Sequence, residues 1–218
     1  MLLFQDRTDA GQQLAQKLNA YAGRNDVVVL ALPRGGVPVA YAVAQALQAP
    51  LDVFLVRKLG LPGHEELAMG AIASGGVRIL NREVIDAMRI PGEVIDAIIH
   101  REQQELARRE QLYRDDNPSP SLQDQVAILV DDGLATGASM AAAVTALRAH
   151  EPDEIVVAVP IAAAESCEQF AQRVDRMVCL ETPTPFFGVG LWYENFTQVR
   201  DDEVRNLLTR AAERFTNQ

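Results

Sequence analysis

Hydrophobic positions follow two rhythms along this chain, and their alternation predicts the architecture. Short, mainly apolar segments, rich in β-branched residues, occur at 27–32, 51–56, 126–130, 154–159 and 176–180, with Asp52, Glu154 and Arg176 the charged residues among them. Such runs read as strands buried on both faces. Between them, 39–47, 141–149 and 164–174 carry apolar residues at helical spacing. A strand, a helix and a second strand in this order require parallel neighbours joined by a right-handed crossover. The pattern therefore predicts an α/β protein with a doubly wound parallel sheet of about five strands. An opening helix places Leu14, Ala15, Leu18 and Tyr21 on one face, with Thr8 or Asp9 as its cap and an end near Gly23.

Two regions break the rhythm. Residues 81–114 read as two helices separated by Pro91 and Gly92, the second with Val94, Ile95, Ile98, Ile99 and Leu106 on its apolar face. Glu105/Arg109 and Glu110/Arg114 lie four residues apart, the spacing of ion pairs on a solvated face, although a subunit interface would use the same helix. Pro118, Pro120 and small polar neighbours stop the pattern, so 81–121 reads as a helical insertion within one domain spanning 1–218. After the last strand, 182–197 is an aromatic loop punctuated by glycine and proline, and 201–215 has the spacing of a closing helix.

Composition narrows the partners. The chain has 218 residues, 48% of them hydrophobic and 23% charged, as expected of an ordinary globular fold. Its formal net charge of −10 argues against a broad nucleic-acid surface. The N-terminus is charged too early for a signal peptide and the longest apolar run, 155–164, is short of a membrane span, so a cytoplasmic protein without membrane contact is expected. Cys167 and Cys179 lack metal-ligand spacing and read as buried thiols in a reducing compartment.

The chemistry concentrates in 126–140. A five-residue apolar strand runs into Asp131 and Asp132, then into Gly133, Leu134, Ala135, Thr136, Gly137, Ala138 and Ser139, and a helix follows. Ligands of open α/β sheets bind at the carboxyl ends of strands. Small side chains let backbone N–H groups close around an anion, and the helix N-terminus adds its dipole. The loop lacks the lysine of a triphosphate site, and two carboxylates beside a phosphate must face hydroxyls or a divalent cation. A sugar phosphate meets both demands. Arg34, Gly35 and Gly36, at the tip of the first strand, offer a second anion site. Arg57 and Lys58 open a glycine–proline loop that runs to Glu65 and Glu66 and has the composition of a lid. His64 reads as an exposed loop residue, and His100 and His150 fall on helix faces or ends.

The strand, acidic pair and loop resemble the 5-phosphoribosyl 1-pyrophosphate signature of type I phosphoribosyltransferases, over about a dozen positions. That resemblance implies a magnesium-dependent transfer of the ribosyl group to a nitrogenous base, with inversion at C1 and release of pyrophosphate. It implies ribose hydroxyls on Asp131 and Asp132, and the 5′-phosphate on the loop from Gly133 through Ser139. Arg34, Gly35 and Gly36 would bind pyrophosphate. Arg57 and Lys58 would neutralise it as it leaves, and Glu65 or Glu66 would manage a proton on the base. The lid is similar to the adenine form, with its proline one residue earlier. Residues 182–197 would form the hood over the base, with Phe186 and Trp192 stacking on it. Mg²⁺ would be held through substrate oxygens and water, with no direct protein ligand. A homodimer is the family's implied assembly. Ala135 stands where enzymes for 6-oxopurines carry an aspartate, which turns the expected acceptor toward another purine-like base and a role in purine salvage. The same fold also serves non-catalytic regulators that bind phosphoribosyl pyrophosphate or a nucleotide, so a sensor is the alternative.

Overall fold

A computed structural model describes residues 3–61, 64–114 and 120–216. Its centre is a five-stranded sheet formed by β1 (Val27–Ala31), β2 (Leu51–Val53), β6 (Val126–Val130), β7 (Glu154–Ile161) and β8 (Arg176–Glu181), in the order β2-β1-β6-β7-β8. Every pairing is parallel. The five consecutive residues of β1 and of β6 are all buried, which is why these strands read as unbroken apolar runs. Alternate side chains serve two different cores. Val27, Val29 and Ala31 pack with Leu14, Val37 and Val43 from α1 (Arg7–Lys17) and α2 (Gly36–Leu47). Val28 and Leu30 face the other way, onto Met140, Val144 and Leu147 of α5 (Ala138–Arg148) and Phe170 of α6 (Ala164–Ala171). The sheet is therefore doubly wound, as expected. Strand order reverses between β1 and β6, the crevice where such sheets take ligands.

Three features depart from the sequence reading. The apolar run at 51–56 is not one strand. β2 ends at Val53, and the chain enters a separate antiparallel sheet, β3 (Val56–Leu61), β4 (His64–Ala73) and β5 (Val77–Leu80), at Val56. The expected lid is thus a hairpin, with Arg57 and Lys58 on β3. Pro62 and Gly63 lie outside the described residues, as do residues 115–119 of the expected linker. The small sheet packs against α5 and α4 (Gly92–Arg114), and α3 (Arg82–Ala87) precedes α4 as expected. Next, α1 is capped by Asp6 rather than Thr8 or Asp9. Asp6 Oδ1 accepts from the N–H groups of Thr8 and Asp9, and Asp9 in turn accepts from Gln5 N–H. This reciprocal cap makes Arg7 the first helical residue. Finally, Cys167 on α6 and Cys179 on β8 form a disulfide rather than free thiols, because the helix lies on that edge strand with their Cα atoms 6.8 Å apart.

α7 (Asp201–Thr216) closes the chain against α2 and α4. No described helix is long and apolar enough to cross a membrane.

Candidate functional site

β1 and β6 are hydrogen-bonded neighbours in register, so the loops that leave them meet. The meeting is close enough to dictate sequence. A Cβ on Gly35 would stand 2.0 Å from Asp132 Oδ2, and one on Gly36 would stand 2.7 Å from the Val130 carbonyl oxygen. Only glycine fits, which ties the Arg34–Gly35–Gly36 turn to the acidic pair more tightly than loop composition implied. The Pro33–Arg34 peptide within this turn is cis.

Asp131 and Asp132 are half-buried side by side. Asp131 Oδ1 accepts from Asp132 N–H at 2.8 Å. Burial, followed by the charge of Asp132, pushes the Asp131 carboxyl well above the ordinary range. Asp132 is also pushed up by burial, but the Arg7 guanidinium opposes that rise. Two adjacent carboxylates thus share an environment that resists holding both charges. Such arrangements cluster where a ligand completes the electrostatics.

Beyond the pair, the chain forms a turn that the rest of the fold supports from behind. Leu134 N–H donates to the Ile161 carbonyl and Ala163 N–H to the Leu134 carbonyl. Ser166 on α6 donates its hydroxyl to the Ala135 carbonyl. Gly137 has φ 71°, a left-handed conformation that glycine adopts without penalty, and it begins α5. Ala135, Thr136, Ala138 and Ser139 are exposed, so the outer surface of the turn is open at a helix N-terminus. The helix starts three residues earlier than the periodicity indicated, because Ala138 and Ser139 are both loop wall and first helical turn.

The expected cations are placed unequally. Arg34 reaches Asp201, at the start of α7, with 3.7 Å between Nη1 and Oδ1. Asp201 also accepts a 2.5 Å hydrogen bond from Tyr113 of α4, and burial with this acceptor pushes the Tyr113 hydroxyl up to about 12. Arg57 turns away from the loops. Its guanidinium donates twice to Glu102 Oε2 on α4, at 2.8 and 2.6 Å, and Glu102 is buried. Lys58, next along the strand, lines a groove of about 570 Å³ that also includes Ala138 of the open turn. Glu102 engages Arg57 from α4, while Arg57 and Lys58 both line a second groove of about 760 Å³ beside that helix. Glu65 lies on β4, and its side chain is outside the described residues.

The 182–197 segment sits over the acidic loop, with Val189 filling the space beside Gly133. Its rings are not all offered outward. Phe186 and Trp192 pack half-buried against a cluster of Phe4, Ile161 and Tyr193, whereas Phe187 is 78% exposed and Leu191 62%. Phe186 and Trp192, expected to stack on the base, thus have part of their surface committed to packing. The N-terminal residues bind this segment through backbone bonds from Leu3 and Phe4 to Trp192 and from Glu194 back to Phe4. Tyr193 donates its hydroxyl to the Asp132 carbonyl at 2.6 Å, and burial pushes that hydroxyl far above its usual range.

Arg7 is the site residue that sequence reasoning missed. Its Nε donates to Asp132 Oδ2 at 2.8 Å and its Nη1 to the Thr197 carbonyl at 2.9 Å. Its guanidinium lies 3.8 Å over the Phe196 ring. The one available signal was the Asp6/Asp9 capping pattern, which places Arg7 at the helix start but does not name its partner.

Residues 4–71 and 63–195 match the family model described as phosphoribosyl transferase domain. The chain belongs to that family. Two curated Mycobacterium tuberculosis proteins named "Putative phosphoribosyl transferase" are each 50% identical to it over 215 residues. The match takes in 99% of this chain and 48% of each relative, so this phosphoribosyl transferase domain spans about half the length of the curated relatives it matches. The crystal structure of TT1426 from Thermus thermophilus is 39% identical with a TM-score of 0.86, covering 96% of this chain and 99% of that one. The AQ2163 protein of Aquifex aeolicus, 13% identical with a TM-score of 0.50 over 81% of this chain and 74% of its own, shares the fold alone.

Among the described residues, no group of three or more His, Cys, Asp or Glu side chains is arranged to hold a metal ion. The donor set at the site is the acidic pair, with one member already engaged by Arg7. That set suits a hydrated Mg²⁺ carried on substrate oxygens better than an ion caged by protein.

Proposed function

We propose that this chain transfers the phosphoribosyl group of 5-phosphoribosyl 1-pyrophosphate to a nitrogenous base and releases pyrophosphate. One observation carries the reading. Two half-buried acids stand at the tip of β6 against the glycines of the β1 turn, and the following turn opens its exposed face at the start of α5. The acids suit vicinal ribose hydroxyls, the open turn suits the 5′-phosphate, and the glycine turn with Arg34 suits pyrophosphate.

Displacement at C1 builds positive charge on the ribose ring and negative charge on the departing pyrophosphate. Asp131 and Asp132 orient the sugar and stabilise the first of these charges. Arg34 and Lys58 answer the second. Arg57 is assigned a different task, holding the hairpin to α4 through Glu102. When bound, Mg²⁺ supplies further neutralisation of the pyrophosphate oxygens. The exposed Phe187 is the hood ring we assign to a planar acceptor, and Ala135 leaves out the carboxylate that a 6-oxopurine site would use, which favours another purine-like base. A homodimer and a cytoplasmic role in purine salvage belong to the same proposal.

The engagement of Arg57 by Glu102 favours one second reading, a non-catalytic sensor of phosphoribosyl pyrophosphate. Labelled phosphoribosyl pyrophosphate with Mg²⁺ and a panel of nucleobases and amines separates the two. Pyrophosphate release with one acceptor supports transfer. Tight binding with no consumption across the panel supports the sensor.

A further inference from the structure

We infer that Arg7 is a positioning residue: it orients the Asp132 carboxylate for the ribose and couples that carboxylate to the hood. The inference rests on the sugar-phosphate reading above and deepens it.

The geometry is specific. Arg7 is 9% exposed, a rare state for an arginine unless its donors are placed. Its Nε engages Oδ2 of Asp132 rather than Oδ1, and Gly35 closes on the same oxygen from the other side. Oδ2 is therefore held by the protein, which in this inference leaves Oδ1 for the ligand. The carboxylate cannot swing without breaking a partly buried charge-assisted bond. The far end of the guanidinium is held by the Thr197 carbonyl and by the face of Phe196. Phe196 in turn lies 5.0 Å, ring to ring, from Tyr193, whose hydroxyl holds the Asp132 backbone. The side chain of Asp132, through Arg7, and its backbone, through Tyr193, are thus both tied to the hood segment. Asp131 feels the Arg7 charge at a distance, but it accepts its hydrogen bond from the neighbouring N–H rather than from Arg7. The two acids are adjacent in sequence but are not equivalent. Asp132 is the member whose orientation answers to the hood.

A purely structural arginine would stabilise the fold without choosing between ligands. A positioning role discriminates, because pyrophosphate has no ribose and needs no acidic pair. Calorimetric titration of the chain with phosphoribosyl pyrophosphate and, separately, with pyrophosphate, both with Mg²⁺, reads the difference. For Arg7→Met, binding of phosphoribosyl pyrophosphate weakens about tenfold or more, whereas pyrophosphate binding stays within about twofold. Arg7→Lys, which keeps the charge without the fork, recovers part of the loss. Adding Asp132→Asn to Arg7→Met costs far less than Asp132→Asn alone, because both act through one contact. Equal weakening of both ligands, or full additivity of the two substitutions, overturns the inference. If Arg7→Met does not fold, Phe196→Leu keeps the cation and removes the ring beneath it. It then weakens only the ribose-containing ligand, by about threefold, and no change overturns the inference. Failure of the native chain to bind phosphoribosyl pyrophosphate at all refutes the sugar-phosphate reading instead, so the two failures are distinguishable.

Discussion

The tips of β1 and β6 and the antiparallel arm formed by β3, β4 and β5 with α4 both carry residues that looked catalytic, yet they use them in opposite ways. At the tips, Asp131, Asp132 and the 135–139 turn lie on consecutive residues, and the fold leaves the turn's outer face open. In the arm, Arg57 is drawn into an ion pair with Glu102, which is 45 residues away. Chemistry written in consecutive residues survives folding because the strand end itself delivers it. A cation on a long side chain goes to whichever carboxylate the tertiary structure brings near.

The sharpest way to break this contrast is to remove Arg57. Arg57→Ala leaves the buried Glu102 carboxylate with the exposed Arg101 beside it. We expect a loss of about 3 kcal/mol in urea unfolding, with more than half of it recovered by Arg57→Ala/Glu102→Leu. Lys58→Ala should weaken pyrophosphate binding more than Arg57→Ala does. If the two substitutions behave alike, the division of labour along β3 is wrong.

A smaller effect concerns the support behind the turn. The disulfide between Cys167 and Cys179 joins two positions 12 residues apart and anchors α6, whose Ser166 and Phe170 both press on the turn before α5. Replacing both cysteines with serine should cost about 2 kcal/mol of stability under oxidising conditions. The same protein under a dithiol reductant should match that variant.

The acidic pair makes a prediction of opposite sign. Because burial and Asp132 raise the Asp131 carboxyl above its unfolded value, the native state holds that proton to higher pH than the unfolded chain does. Stability therefore falls as pH rises from the unfolded value through the native one, and the penalty is complete above the latter. Asp131→Asn removes it. The variant should be more stable than the parent by on the order of 1 kcal/mol at pH 8, with the gap closing as the pH is lowered, while losing affinity for a ribose ligand. A variant less stable at every pH would contradict the electrostatic account of the site.

The smallest effect is expected at the hood. Phe187→Ala should change stability by less than about 0.5 kcal/mol and raise KM for a planar acceptor only a few-fold. The half-buried Phe186 should behave as packing, with its truncation costing stability first.

What could be read from the sequence divides along the same line as the two regions. β6 begins and ends where its apolar run does, and its acidic pair stands at its tip, because a strand buried on both faces leaves little doubt about its limits. The antiparallel arm was hidden. Gly60, Pro62 and Gly63 look like loop punctuation, and β4 contains Ala68, Gly70 and Ala71 where bulkier strand formers are usual. Packing explains one of these: a Cβ on Gly70 would stand 2.2 Å from the Ile79 carbonyl oxygen of β5. Arg7 was illegible for a plainer reason. Its carboxylate is 125 residues away, and no spacing rule spans that distance. The cysteine pair likewise has a spacing without a signature, and only the docking of α6 on β8 brings the two together.

The central claim is that the acids at the tip of β6 and the turn before α5 together hold a sugar phosphate. Backbone amide chemical shifts recorded while ribose 5-phosphate is added test it most directly, with no need to know the acceptor. The account predicts that the largest shifts fall on Asp131, Asp132 and Thr136 to Ser139, and that they vanish in Asp131→Asn/Asp132→Asn. Shifts confined to the groove of about 760 Å³ lined by Lys58, Val94 and Arg101, or unchanged in the double variant, would contradict it.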